Sequence, residues 1–153
     1  MTIHLAHGIL ERNGCILLAA SRYPNQPEAL WNLPGGRQRS GELLDETLKR
    51  EFCEETSLVA SVRRLRYVSE SYDGATGDHF VSMVFDVVAD GEARLSGVDA
   101  HVVDLAWVPR DELAARLTVA VVRQPLVEHF ADECRRYFAF PEAGITIRFS
   151  DFS

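Results

Sequence analysis

Gly36-Arg37-Gln38-Arg39-Ser40-Gly41-Glu42-Leu43-Leu44-Asp45-Glu46-Thr47-Leu48-Lys49-Arg50-Glu51-Phe52-Cys53-Glu54-Glu55-Thr56-Ser57-Leu58 is the stretch on which the fold turns. A Gly-rich turn at Gly35-Gly36 leads into a predicted helix, and the helix closes on three acids in five residues. Leu44, Leu48 and Phe52 stand at i, i+4 and i+8, the apolar stripe of a helix that packs against a core. With Leu44 set at zero on the helical wheel, Glu51 falls at roughly −20° and Glu55 at roughly +20°. Two acids therefore share the buried side. Glu51, Glu54 and Glu55 are i, i+3 and i+4, so their side chains converge, and like charges at that spacing repel. They also lie toward the helix C-terminus, where the macrodipole disfavours anions.

Partly buried carboxylates in a cluster must be neutralised, paired or bound to metal. Donor sets made only of oxygen suit hard cations such as Mg²⁺ or Mn²⁺. Other acids of the stretch have an ordinary explanation: Asp45 with Lys49 and Glu46 with Arg50 have the spacing of surface i, i+4 pairs. A Glu-rich helix with a solvated face is the competing explanation for the whole set, and the Trp31-Asn32-Leu33-Pro34-Gly35-Gly36 lead-in weighs against it.

With these residues in place, the segment resembles a Nudix box, the signature of the Nudix hydrolase superfamily and its MutT-like members. Gly36, Glu42, Arg50, Glu51, Phe52, Glu54, Glu55 and Leu58 fill the pattern. Ser57 departs from it, standing where the family has a helix-ending Gly. A left-handed Ser costs about 1 kcal/mol and removes no ligand. The motif covers residues 31–58; layout carries the rest. The resemblance implies an α/β fold, an α/β/α sandwich with a mixed central sheet, and a metal-dependent hydrolase that cleaves a pyrophosphate linkage in a nucleoside diphosphate derivative.

The resemblance also implies roles. Glu51, Glu54 and Glu55 are expected to hold Mg²⁺ or Mn²⁺, joined by the Gly36 carbonyl. Glu54 or Glu51 is the expected general base. Arg50 is expected to hold a glutamate in place, with Glu42 as a supporting partner. Relatives add an acid from outside the box, and here that neighbourhood reads Asp99-Ala100-His101. His101 occupies the aligned position and Asp99 stands beside it; each is a candidate extra ligand or base, and a loop residue without a role is the alternative for His101. Arg22 is a candidate phosphate contact or a solvated loop residue. Trp31, Tyr72 and Phe80 are the candidate base-stacking aromatics.

Length and composition agree. The chain has 153 residues and a net charge of −7, the size of one domain over residues 1–153 and the wrong sign for a nucleic-acid polymer as partner. No apolar run approaches a membrane span, and no signal-peptide pattern opens the chain. Cys15, Cys53 and Cys134 are odd in number and far apart, which points to reduced thiols in a cytoplasmic protein.

The layout predicts strands over Ile3–Leu10 and Cys15–Ala20, joined by a hairpin at Arg12-Asn13-Gly14. Residues 21–30 read as a loop, and Ser40 or Gly41 as the N-cap of the box helix. Strands are predicted over Val59–Tyr72, His79–Val88 and Val102–Val108, and a short helix over Pro109–Leu113. A C-terminal helix is predicted with Pro125 in its first turn, running to about Tyr137. Ile145–Phe149 reads as a last strand, available for edge pairing or a homodimer contact.

The expected substrate is a small-molecule nucleotide, with a nucleoside di- or triphosphate first. Dinucleoside polyphosphates, ADP-ribose and nucleotide sugars are alternatives within the superfamily. A module that senses a nucleotide without cleaving it is the alternative of another class.

Overall fold

A tight turn at Asn13-Gly14 starts the architecture. The computed structural model describes residues 1–148. In it, β1 (Thr2–Ile9) leads to β2 (Glu11–Arg12), and the chain reverses into β3 (Cys15–Ser21). Asn13 at φ 51° and Gly14 at φ 77° are the two left-handed residues that a type I′ hairpin requires. There follow β4 (Leu30–Asn32), β5 (Gly35–Arg37), α1 (Leu44–Thr56), β6 (Ser61–Tyr72), β7 (His79–Val88) and β8 (Val102–Pro109). A 3₁₀ turn (Arg110–Glu112), α2 (Leu113–Arg116), α3 (Ala120–Ala131) and β9 (Tyr137–Phe140) complete the order.

One sheet runs β5-β1-β7-β6-β9. It is mixed: β1 is parallel to β7 and β6 to β9, while β1–β5 and β6–β7 are antiparallel. The other sheet joins β2, β3 and β4, with β8 antiparallel to β3. Leu48 and Phe52 of α1 pack with Ala6 and Val87, and Leu126 of α3 packs with Tyr67, Val84 and Phe138. Val84 and Val87 lie on opposite faces of β7. The two helices therefore cover opposite faces of the mixed sheet, and the chain has the expected α/β/α layering. Among the described residues no helix is long and apolar enough to cross a membrane.

Five expectations are corrected. The box helix is capped at Leu43, not at Ser40 or Gly41: the Leu43 amide donates to the Glu46 carboxylate at 3.0 Å, while residues 38–42 are used up by a turn in which the Gln38 side chain donates to the Glu42 carbonyl. Gly35-Gly36 is not a turn. It is part of β5, the edge strand beside β1. α3 begins five positions ahead of Pro125, which lies inside the helix, and it ends at Ala131. Residues 137–140, the end of the predicted helix and beyond, form β9, because Phe138 buries into the core as the strand pairs with β6. Residues 145–148 form no strand. They fold back over the molecule with Ile145 and Ile147 turned inward; Phe149 lies outside the described residues.

Ser57, the departure from the motif, sits at φ 64° and ψ 10° as the C-cap of α1. The sequence pattern places a glycine there for that reason. The Ser57 hydroxyl donates to the Arg94 carbonyl at 2.9 Å, and this bond offsets part of the strain of the left-handed backbone.

Candidate functional site

Carboxylates from α1 and from the loop before β8 meet at the edge of the mixed sheet. Glu51, Glu55 and Asp99 each present an oxygen within 4.8 Å of the others. Glu55 is 5% exposed, and Glu51 12%. The Gly35 amide donates to Glu55 Oε1 at 3.1 Å. Burial pushes Glu51 up to about 7, with Arg50 pulling against it. Burial, then the Glu51 charge, drives Glu55 well above the ordinary glutamate value. Three clustered oxygen donors fit a hard divalent cation, whose charge would reverse the upward shifts of Glu51 and Glu55.

Arg50 ties the acids of the helix to its approach. Its Nε donates to Glu42 Oε2 at 2.6 Å and its Nη2 to Glu42 Oε1 at 3.0 Å. Its Nη1 reaches Glu51 at 2.9 Å and Glu54 at 3.3 Å, and its Nη2 also donates to the Arg37 carbonyl. Glu42 accepts from the Arg39 amide and the Thr47 hydroxyl as well, and with Arg50 beside it the carboxyl drops to about 2. The Glu46–Arg50 surface pair read from spacing is thus replaced by this knot, because Glu46 is engaged at the helix cap. Lys49 and Asp45 do pair, at 3.8 Å.

Gly36 has a close-approach role. A Cβ built there would stand 2.6 Å from the Glu51 carboxyl carbon and Oε1. Gly36→Ala should leave the fold in place and push the Glu51 carboxylate aside, lowering kcat by about 100-fold, the usual cost of misplacing a reacting group by about 1 Å. Steady-state kinetics beside circular dichroism check this; wild-type kcat in a folded variant would contradict it.

A cleft of about 210 Å³ lies on the α3 side of the mixed sheet and ends at Gly35 and Gly36, next to the acids. Alternate residues of β6 and β7, among them Ser69, Ser71, Phe80 and Ser82, floor it, and Trp31 and Tyr23 help to wall it. His7 and Asn32 also line it. The Leu33 amide donates to Asn32 Oδ1 at 2.7 Å, which turns Asn32 Nδ2 toward His7 Nε2 at 3.5 Å. His7 Nδ1 then faces Ser82 Oγ at 3.3 Å. Burial lowers the His7 pKa to about 4, so the ring is neutral.

The sequence candidates fall as follows. Glu51, Glu55 and Asp99 come together, and the group does not include Glu54 or His101. Glu54 sits beside them through Arg50. His101 contributes its backbone: its amide donates to Asp99 Oδ1 at 2.9 Å, and its carbonyl accepts from the Arg22 amide at 2.8 Å. The Arg22 side chain is exposed. Trp31 and Phe80 line the cleft. Tyr72 stands outside that lining, stacked on His79 at 4.4 Å, because the two-residue period that turns Ser69 and Ser71 inward turns Tyr72 away. His7, Tyr23 and Asn32 went unread. For His7 and Asn32, a polar residue at an inward position of a strand was the available signal.

A family profile described as "NUDIX domain" matches residues 3–130. An ADP-ribose pyrophosphatase of Methanocaldococcus jannaschii is 37% identical over 93 residues, 61% of this chain and 54% of that protein. The human 8-oxo-dGDP phosphatase NUDT18 is 30% identical over 122 residues, 71% of this chain and 36% of that protein. The chain thus spans about half of one curated relative and just over a third of the other. The crystal structure of a MutT NUDIX hydrolase from Burkholderia pseudomallei superposes with a TM-score of 0.66 at 28% identity, covering 84% of this chain and 97% of that one.

Proposed function

The chain belongs to the Nudix hydrolase family, and from that premise we propose that it hydrolyses the phosphoric anhydride of a nucleoside di- or triphosphate with the help of Mg²⁺ or Mn²⁺. One observation carries the reading: a mostly apolar cleft with aromatic walls ends at Gly35 and Gly36, against three clustered carboxylates. A base in the cleft directs its phosphates to the acids.

Glu51, Glu55 and Asp99 would hold the cation. The family carries out its chemistry with divalent metal, which supplies neutralisation of the pyrophosphate charge and acidification of a water. The donor set is all oxygen, so it suits Mg²⁺ as well as Mn²⁺. The chain's own residues do the remainder. Arg50 fixes the Glu51 and Glu54 carboxylates. Glu54, 25% exposed and outside the cluster, would take a proton from the attacking water, with Glu51 as the alternative base. Arg37, at the cleft mouth beside Gly36, offers a cation to the phosphates, and Trp31 and Phe80 offer ring faces to the base. His7, held neutral beside Gly35, adds no charge to the cleft.

The 37% identity to an ADP-ribose pyrophosphatase supports a second substrate class, in which the group beyond the pyrophosphate is a ribose. Product release from a panel of nucleoside di- and triphosphates, dinucleoside polyphosphates, ADP-ribose and nucleotide sugars separates the readings. It runs with Mg²⁺ and with Mn²⁺, beside a Glu54→Gln control. Turnover lost in the control supports hydrolysis and names the class. Silence across the panel with tight binding of one nucleotide would replace the enzyme with a sensor.

A further inference from the structure

Residues 143–148 cross the cleft without joining either sheet. At one end the Ala143 amide donates to the Tyr72 carbonyl at 2.6 Å, and the Thr146 hydroxyl donates to Asp73 Oδ1 at 3.1 Å. At the other, Asn25 Nδ2 and Gln26 Nε2 donate to the Thr146 carbonyl at 2.6 and 3.0 Å. The Arg148 amide donates to Asn25 Oδ1 at 2.9 Å. The segment therefore hangs between the β6–β7 hairpin and the β3–β4 loop. Ile145 and Ile147, two residues apart, present their side chains to the cleft, whose lining also takes Val121 and Pro125 from α3.

Two features set this segment apart from a fixed wall. Its hold on the β3–β4 loop comes through the side chains of Asn25, which is exposed, and Gln26, which is half-buried, so it can lift without breaking a strand ladder. The closed cleft of about 210 Å³ also falls short of the roughly 300–1,000 Å³ of pockets that enclose drug-sized ligands. With the segment down, the cleft suits one unsubstituted base and little more.

We infer that residues 143–148 are a specificity strap: Ile145 and Ile147 set the size of the base that the cleft admits, and the Asn25 and Gln26 amides hold the strap closed. The substrates it selects are nucleotides with a compact base; those it rejects carry a bulky exocyclic group. The inference rests on the nucleotide-hydrolase reading, and its test has an arm that does not.

The test compares the wild-type chain with the double variant Asn25→Ala/Gln26→Ala, whose changed side chains lie outside the cleft lining. Two substrates are used: the best unmodified nucleotide and its counterpart with an aryl group on the base. Release of the strap should lower KM for the arylated nucleotide about tenfold, the scale on which apolar pockets discriminate by size. KM and kcat for the unmodified one should stay within about twofold. In the second arm the apolar dye anilinonaphthalene sulfonate is titrated without nucleotide, and the variant should bind it more tightly. Equal KM ratios and equal dye binding would overturn the strap. So would a uniform rise in kcat/KM for both nucleotides, which marks a general plug with no size selection. If neither protein turns over any nucleotide, the hydrolase reading falls and the dye arm alone decides the strap.

Discussion

Glu55→Gln should abolish most turnover while making the metal-free protein more stable. Glu55 is 5% exposed, and its neighbours in the cluster are the carboxylates of Glu51 and Asp99. Replacing one ionised donor by an amide removes a charge that a bound cation needs. Metal-assisted stabilisation of a charged transition state is worth several kcal/mol, so kcat should fall by about 10³-fold. Stability moves the other way because the folded state resists ionising this group. A carboxyl whose folded pKa lies above its unfolded value costs nothing while protonated in both states. It destabilises as pH climbs above the unfolded value of 4.5. The Tm gain of the variant over wild type should therefore be small at pH 5 and larger at pH 8. His7, whose pKa is lowered to about 4, has the opposite pH dependence, and it cancels because both proteins carry it. Mn²⁺ should raise the Tm of the wild type and much less that of the variant. Proton competition adds a further mark: with Glu51 pushed up to about 7, metal affinity should weaken as pH falls below that value. Thermal melts at pH 5 and pH 8, with and without Mn²⁺, decide the matter. A variant that is less stable at pH 8 without metal, or that keeps wild-type kcat, would remove Glu55 from the metal site.

How much of this was legible before the structure depends on where each signal lies in the chain. The helix that carries Glu51 and Glu55 was readable because a 3.6-residue period fixes which side chains share a face. Leu48, Phe52 and Glu55 are buried as that period requires. The same period offered Glu54 as a third ligand, and the extra ligand from outside the helix was left between His101 and Asp99; the cluster takes Asp99. Which of two loop residues meets a helix some 45 positions earlier is set by tertiary packing, and the period of no element reaches across that gap. β9 was missed for a related reason: Tyr137-Phe138-Ala139-Phe140 is an apolar run of only four residues, too short to outweigh the helical pattern before it. Pro125 misled in the same region. Its preference for a first helical turn is strong, yet α3 runs through it. The cleft drew on residues from many elements at once, and its polar members His7 and Asn32 meet only where β4 of one sheet approaches β1 of the other. The tail was read by composition as a strand. Ile145 and Ile147 instead line the cleft, where no pairing partner is needed.

Arg50→Lys should cost both stability and activity, although it keeps the charge. A guanidinium forks; an ammonium is a point charge with three rotatable donors. Arg50 uses its fork to hold both oxygens of Glu42 while reaching Glu51 and Glu54. A lysine can serve one or two of these carboxylates, and the rest are left as crowded anions at partly buried positions. Breaking a fully buried ion pair costs about 3–5 kcal/mol. Arg50 and Glu42 are each 18% exposed, which brings the expected loss nearer 2–3 kcal/mol by partial solvent screening. At about 2–4 °C per kcal/mol for a chain of this size, Tm should drop by roughly 5–10 °C. The catalytic effect follows from Glu51. Arg50 is the cation that restrains the upward shift of this carboxyl, so its loss moves Glu51 further from its charged form and frees its orientation. Metal uptake should then require a higher pH than in the wild type, and kcat at neutral pH should fall by about 10–100-fold, the usual effect of losing a partner that orients a metal ligand. Raising the pH should recover part of the lost metal affinity and none of the lost orientation. The recovery therefore separates the electrostatic role of Arg50 from its geometric one. A variant with wild-type Tm and an unshifted pH dependence of Mn²⁺ binding would show that the knot around Glu42 supports neither.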